Sequence, residues 1–207
     1  AAGHRFEFFP AVSAGWVASS EKFWEPISKY INHFKIRGSY GLVGSDAFAS
    51  GAPHFLYQNN IGIGSAHNFW TGLPTSEISK KGPGFYVLAV QDAGWEHVKK
   101  FDIGFDMMLF NQLNITFDYF HDKRERILMS RASWPSMLGY WGSKPWSNIG
   151  EVENQGFELS LNWTKQFGKD LTLDLRGNFT YNQNEYKYVD EPSYPYVWQT
   201  NTGKPLN

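Results

Sequence analysis

The stretch Phe101-Asp102-Ile103-Gly104-Phe105-Asp106-Met107-Met108-Leu109-Phe110-Asn111-Gln112-Leu113-Asn114-Ile115-Thr116-Phe117-Asp118-Tyr119 decides the fold. Odd-numbered positions are apolar up to Leu109 and again from Leu113. Asp102, Gly104, Asp106, Asn114, Thr116 and Asp118 fill even ones. Apolar residues two apart share one side of an extended chain, so these are two half-buried β-strands; a helix would repeat every 3.6 residues. Residues opposite each other across a hairpin share a side. With odd positions apolar on both arms, the turn must hold an odd number of residues. Phe110-Asn111-Gln112 satisfies this and sets Asp118 opposite Gly104, between Asp102 and Asp106.

The same alternation continues on both sides of this hairpin. Phe157, Leu159, Leu161 and Trp163 alternate with Glu158, Ser160, Asn162 and Thr164. Leu171, Leu173, Leu175, Phe179 and Tyr181 alternate with Thr172, Asp174, Arg176, Asn178 and Thr180. A second three-residue turn is expected near Gln166-Phe167-Gly168, with Gly168 left-handed; five residues also satisfy parity. Toward the N-terminus, Phe34, Ile36, Tyr40 and Leu42 oppose Lys35, Arg37 and Ser39, and Phe8, Val12, Ala14 and Trp16 share one side. Each of the six segments has about 9–12 residues, the length a tilted strand needs to cross a bilayer, whereas strands of soluble domains average about 5–6.

The connections alternate in length. Two are short turns, whereas 43–98, 123–154 and 182–207 are long and rich in Gly, Pro, Trp and Tyr. Membrane barrels pair short periplasmic turns with long extracellular loops. That pattern predicts extracellular loops at 43–98, 123–154 and 182–207. It leaves 18–33 as a periplasmic connection with a short helix between Glu21 and Ile31, interrupted near Pro26.

Composition agrees with this reading. Aromatic residues make up 18% of the 207 residues, with 9 Trp, 11 Tyr and 17 Phe, as in aromatic-lined sugar-binding β-domains and in membrane barrels with aromatic girdles. Net charge is -1, which gives no basis for nucleic-acid binding. Cysteine is absent, so there is neither a disulfide framework nor a thiolate metal site. No apolar run reaches the roughly 18 residues of a spanning helix, so membrane residence requires strands. The first residues lack the basic and apolar regions of a signal peptide.

Four segments in order carry a family resemblance. They are Phe8-Phe9-Pro10-Ala11-Val12-Ser13-Ala14-Gly15-Trp16; Lys35-Ile36-Arg37-Gly38-Ser39-Tyr40-Gly41-Leu42-Val43-Gly44; Trp95-Glu96 with Lys99 and Ile103-Gly104-Phe105-Asp106; and Asn148-Ile149-Gly150-Glu151-Val152-Glu153-Asn154-Gln155-Gly156-Phe157-Glu158-Leu159. Together they resemble the C-terminal barrel portion of the SusC/RagA family of TonB-dependent outer-membrane transporters from Bacteroidetes. The resemblance implies a barrel of 22 strands filled by an N-terminal plug, a SusD-like surface lipoprotein as lid, and import of oligosaccharides or peptides driven by the TonB complex. It implies a Gram-negative outer membrane as location, no enzymatic activity and no cofactor.

Six strands are too few to close a barrel, since the smallest membrane barrels have about eight and each unpaired backbone group in lipid costs several kcal/mol. The chain is therefore expected to be an all-β, antiparallel segment of a larger barrel, with the plug and its TonB contact outside it. Two rival readings are a secreted carbohydrate-binding β-sandwich and a subunit of a multi-chain β-pore.

Two groups of residues are candidates for function. Trp70, Trp134, Tyr140, Trp141 and Trp146 lie in the long connections, with Tyr194, Tyr196 and Trp198 behind them; such rings stack on sugars, dock a lid, or pack within their own loops and girdle. Asp102, Asp106 and Asp118 form an acidic cluster on the lumen face. It suits a cation or amine, or simply a wetted wall ion-paired to Lys35 and Arg37. The six histidines show no ligand spacing, so no metal site is expected. Gly62-Ile63-Gly64 lacks the context of a nucleotide loop. Asn114-Ile115-Thr116, Asn162-Trp163-Thr164 and Asn178-Phe179-Thr180 read as polar alternation within strands rather than glycosylation sites. Neither a nucleophile triad nor a glycosidase carboxylate pair is evident.

Overall fold

A computed structural model describes residues 6–46, 51–52, 54–73, 76–90, 93–135, 137 and 144–206, without the side chains of 63–69, 73 and 76–77. The alternating segments are strands: β1 (Ala11–Val17), β2 (Ile31–Ser45), β5 (Glu96–Leu109), β6 (Leu113–Ser130), β7 (Trp146–Phe167) and β8 (Leu171–Tyr188). They form one antiparallel sheet in the order β1-β2-β5-β6-β7-β8, so each strand pairs with its neighbour along the barrel wall. The sheet does not close on itself.

Over the stretch where the strands alternate, one side of this sheet is apolar. Its rings form a ladder across five strands: Phe34 to Phe105 (5.9 Å), Phe105 to Phe117 (5.5 Å), Phe117 to Phe157 (6.0 Å), and Phe157 to both Phe179 (5.8 Å) and Tyr181 (5.6 Å). Yet the face is uncovered, with Ile103 46% and Phe179 55% exposed. Contiguous exposed apolar surface of this extent marks contact with a partner or with lipid. A sandwich would bury such a face against a second sheet, and among the described residues no second sheet covers it. Along β5 the apolar run Phe101–Leu109 is nine residues long, and along β8 Leu171–Tyr181 is eleven. At about 3.3 Å per residue and a tilt near 40°, these runs span roughly 20–25 Å, the height of a barrel's apolar band.

The strands run well past this band. β6 continues to Ser130 and β7 starts at Trp146, so the connection between them narrows from 123–154 to 131–145. Likewise β8 runs to Tyr188. On these extensions the side that was apolar becomes charged: His121, Lys123 and Glu125 follow Tyr119, and Gln183, Glu185 and Lys187 follow Tyr181. Alternation therefore reports the apolar band and not the strand length. A bulge where Arg126 takes a φ of 59° shifts the β6–β7 register in this upper part.

Both short turns have three residues. In the first, Gln112 N donates to Leu109 O (2.9 Å), and Phe110 and Asn111 both sit at φ 54°. Positive φ at both central residues matches the right-handed twist of hairpin strands. The second turn is Gly168-Lys169-Asp170 rather than Gln166-Phe167-Gly168, because Lys165, Gln166 and Phe167 stay in the ladder opposite Leu173, Thr172 and Leu171. The shift by two leaves every side chain on its expected face. Gly168 has a φ of 69°.

Two elements depart from expectation. The 43–98 connection contains a hairpin of β3 (Asn60–Leu73) and β4 (Ser76–Val87), paired only with each other. At its foot Leu56, Val90 and Leu128 form a small buried cluster with Trp146 packed on it, and Val90 N donates to Leu56 O (2.7 Å). Asn148 ties the returning chain to the sheet: its amide donates to Gly94 O (3.1 Å) and Arg126 O (2.9 Å), and its oxygen accepts from Gly94 N (3.2 Å). Between β1 and β2, the expected short helix is replaced by two 3-10 turns, Ala18–Ser20 and Lys22–Trp24, followed by turn structure to Tyr30.

Candidate functional site

The polar side of the sheet carries a charged centre around Arg37. Arg37 on β2 reaches across β5 to β6, because Gly15, Arg37, Gly104 and Asp118 lie in one row of the register. Its guanidinium meets Asp118 at 2.7 Å, Asp106 at 3.3 Å and Asp102 at 3.8 Å. Gly104 makes the reach possible. A Cβ there would press on the Asp118 carboxylate and lie 2.6 Å from the Phe117 carbonyl oxygen. Thr116 Oγ1 donates to the remaining oxygen of Asp106 (3.2 Å). Lys35 stands opposite Asp106, and Glu158 stands opposite Asp118 on β7.

The three aspartates thus come together as the register requires, with the positive charge at their centre supplied by the protein itself. Asp102 and Asp118 line an open depression of about 510 Å³ whose wall includes Arg37, Lys100, Asp122 and Glu158. A second depression of about 310 Å³ lies on the other flank of Arg37, over Ser13 and Gly15. Among the described residues, no group of three or more His, Asp or Glu is placed to hold a metal ion. Charge and solvent access here suit a wet polar wall.

The aromatic candidates are not brought together. Trp70 lies on β3, 64% exposed, with Ser79 opposite. Trp134 is half-buried in the 131–145 connection, its amide donating to Arg131 O (3.3 Å). Trp146 is the first residue of β7 and packs, half-buried, on the Leu56–Val90–Leu128 cluster. Tyr140 and Trp141 lie outside the described residues. Beyond β8, Tyr196 and Trp198 stack on each other (5.8 Å, 13° between planes) and stay largely exposed. Phe55 and Tyr57 in the 43–98 connection form another exposed pair, meeting edge-on at 6.1 Å.

Two features escaped the reading of isolated segments. The first is a belt of ion pairs on the apolar side above the band, Lys99–Glu125 (2.7 Å), Lys123–Glu125 (2.8 Å) and Lys187–Glu153 (2.8 Å), with His121 hydrogen-bonded to Glu153 (2.6 Å). Its signal was present as charges at odd positions immediately after Tyr119. The second is a clamp between connections. Ser133 donates its amide (3.0 Å) and hydroxyl (2.8 Å) to Asp190, whose carboxylate also faces Arg131 (3.3 Å). Burial pushes the Asp190 carboxyl up, but the Ser133 donors and Arg131 outweigh it and hold it below the usual range. Residues 57 apart give no local sequence signal for such a contact.

Comparison with known proteins gives a consistent result. Residues 2–207 match the family described as TonB dependent receptor-like, beta-barrel. TonB-dependent receptor P3 of Formosa agariphila is 30% identical over 183 residues, which cover 88% of this chain and 17% of that protein. TonB-dependent receptor SusC of Bacteroides thetaiotaomicron is 26% identical over 194 residues, again 88% of this chain and 17% of the relative. The chain thus spans about a sixth of the length of these relatives. Among solved structures, the RagAB peptide transporter superposes with a TM-score of 0.62 at 21% identity, covering 86% of this chain and 18% of that one. A RagAB peptide importer in an open-open state gives 0.66 at 21%, covering 87% and 18%. At that identity the likeness concerns the fold.

Proposed function

The chain belongs to the TonB-dependent receptor-like β-barrel family, a family of outer-membrane receptors and transporters, and on that premise we propose that it supplies six adjacent wall strands of a SusC/RagA-type nutrient importer. The observation that carries this is the division of the sheet: an uncovered ladder of rings on one side, and Arg37 with its three aspartates on the other. In a barrel the first side faces lipid and the second the lumen.

The short turns then face the periplasm, and the 43–98, 123–154 and 182–207 connections face outward. The β3–β4 hairpin, Trp134 and the Tyr196–Trp198 pair stand where a ligand enters or a SusD-like lipoprotein lid seats. The cargo is an oligosaccharide or a peptide; the SusC relatives and the fold likeness to a peptide importer support this reading. Energy comes from the TonB complex through a plug encoded outside residues 1–207. Within this segment Asp102, Asp106 and Asp118 act with Arg37 as a fixed charged patch on the lumen wall.

The test is purification of the native polypeptide from detergent-solubilised outer membrane with an antibody to residues 123–150. A band on the order of 100 kDa, several times the 23.8 kDa of this segment, with a lipoprotein partner in the eluate, is expected for a full-length barrel transporter. A 23.8 kDa species in water, or rings of that chain in the membrane, would overturn the reading.

A further inference from the structure

We infer that the connection between β1 and β2, residues 18–30, is a lipid-embedded foot: it folds outward onto the apolar side and sits among the phospholipids of the leaflet on the short-turn side. The inference rests on the membrane-barrel reading and goes beyond it. A hairpin needs only about two to five residues to reverse direction, and the two other short connections of this sheet use three each. This one uses many more, and its rings define where it lies. Trp24 stacks flat on Phe34 (5.3 Å, 6° between planes), and Phe23 packs beside Trp16 (6.1 Å) and Trp24 (6.2 Å). Phe34 and Trp16 both belong to the apolar side, which Phe34 continues into the ring ladder through Phe105. At the far end Tyr30 meets Phe110 of the neighbouring turn edge-on (6.1 Å), and Phe110 N donates to Tyr30 O (2.9 Å). Each of these ring contacts falls on the lipid-facing side or on the adjoining turn.

The foot also shows outward what it would not show to water. Phe23 is 62% exposed and Ile27 40%, with Tyr30 and Phe110 beside them. This surface is continuous with the apolar band. The indoles are already partnered, Trp24 Nε1 to Ile31 O (3.0 Å) and Trp16 Nε1 to Glu21 (3.3 Å), so the rings can enter the interface without a stranded donor. Between them Glu21, Lys22, Glu25 and Lys29 are exposed and cancel in charge. An apolar face with balanced charges fits a zwitterionic headgroup layer, where aromatic residues are enriched.

The chain holds no cysteine, so one introduced here takes a spin label without competition from this segment. In the full-length protein reconstituted in phosphatidylethanolamine–phosphatidylglycerol vesicles, nitroxides are placed by Ile27→Cys and Phe23→Cys. Leu161→Cys serves as the mid-band reference and Lys169→Cys as the reference in an ordinary turn. Collision rates with oxygen and with water-soluble nickel chelate are then compared. The foot is embedded if Ile27 and Phe23 favour oxygen over nickel, as Leu161 does, while Lys169 favours nickel. Nickel access at both foot positions equal to that at Lys169 overturns the inference alone. Low access to both probes, which means a protein partner covers the foot, overturns it as well. Nickel-dominated access at Leu161 overturns the membrane reading together with the foot.

Discussion

Replacing Gly104 by Ala should damage the protein far more than its single methyl suggests. Position 104 lies between Arg37 and Asp118 in the register, and a Cβ there meets the Phe117 carbonyl oxygen at 2.6 Å. That oxygen is main chain inside a continuous ladder and cannot swing away. The Asp118 carboxylate can, but only by leaving its 2.7 Å contact with Arg37. Overpacking of this kind costs roughly 1–3 kcal/mol. Losing the ion pair adds about 1 kcal/mol, since both side chains remain partly solvated and screened. The sum, about 3 kcal/mol, is a change on the order of a hundredfold in the folded-to-unfolded ratio. Gly38 is the internal control: a Cβ there finds only the Asp102 carbonyl oxygen, at an ordinary 3.6 Å. Gly38→Ala should be neutral or slightly stabilising, because alanine restricts the unfolded strand. Urea unfolding of the full-length protein in vesicles, followed by tryptophan fluorescence, reads both changes as shifts in midpoint. If Gly104→Ala costs no more than Gly38→Ala, the close approach across β5 is not a constraint and the argument for the Arg37 centre fails.

Other expectations follow from the same geometry. Ile103→Lys, on the exposed apolar side, should cost about 2–4 kcal/mol near the bilayer midplane, whereas Thr116→Lys on the opposite side should insert at close to the native yield; folding yield into vesicles separates them. Asp190→Asn should loosen the Ser133 and Arg131 contacts and speed proteolysis at 131–135 with the barrel intact. Because the folded-state Asp190 carboxyl is lowered, its contribution is complete above the unfolded carboxylate value of about 4 and is lost only as pH falls through the lower folded value. The proteolysis rate of the native protein should therefore stay flat from pH 8 to pH 5, near-neutral conditions that leave this carboxylate ionised. Asn148→Ala removes the two hydrogen bonds that hold Gly94 and a third to Arg126 O, and should raise amide exchange around 93–95 without changing exchange in the β5–β6 ladder.

How much of this was legible in the sequence follows from what each residue faces. From Phe101 to Tyr119 the strand positions alternate apart from Met108, so even the pairing of Asp118 with Gly104 could be read. Above Tyr119 both sides are wet. His121, Lys123 and Glu125 then stand where apolar residues stood, and the strand becomes invisible although its hydrogen bonding continues to Ser130. The β3–β4 hairpin escaped for the same reason: it pairs with no other strand, and Trp70, Ile78, Phe85 and Tyr86 are all exposed. The second turn was displaced by two residues because parity fixes only oddness, while ladder pairing through Phe167 sets the position. At the candidate site, Asp102, Asp106 and Asp118 could be placed on one side from parity alone. That Arg37 bridges two strands to reach them depended on Gly104, whose role appears only when the register is drawn. Trp146 looked like a loop residue because the start of β7 lacks alternation, and it belongs instead to the buried foot of the hairpin.

The claim on which the rest depends is that odd positions of β7 meet lipid and even positions meet the lumen. It is tested most directly by a photoreactive benzophenone residue placed singly from Phe157 to Trp163 in the full-length protein, irradiated in native outer membrane, with lipid adducts read by mass. Adducts are expected at 157, 159, 161 and 163 and none at 158, 160 and 162. Adducts without a period of two, or at even positions only, would contradict it.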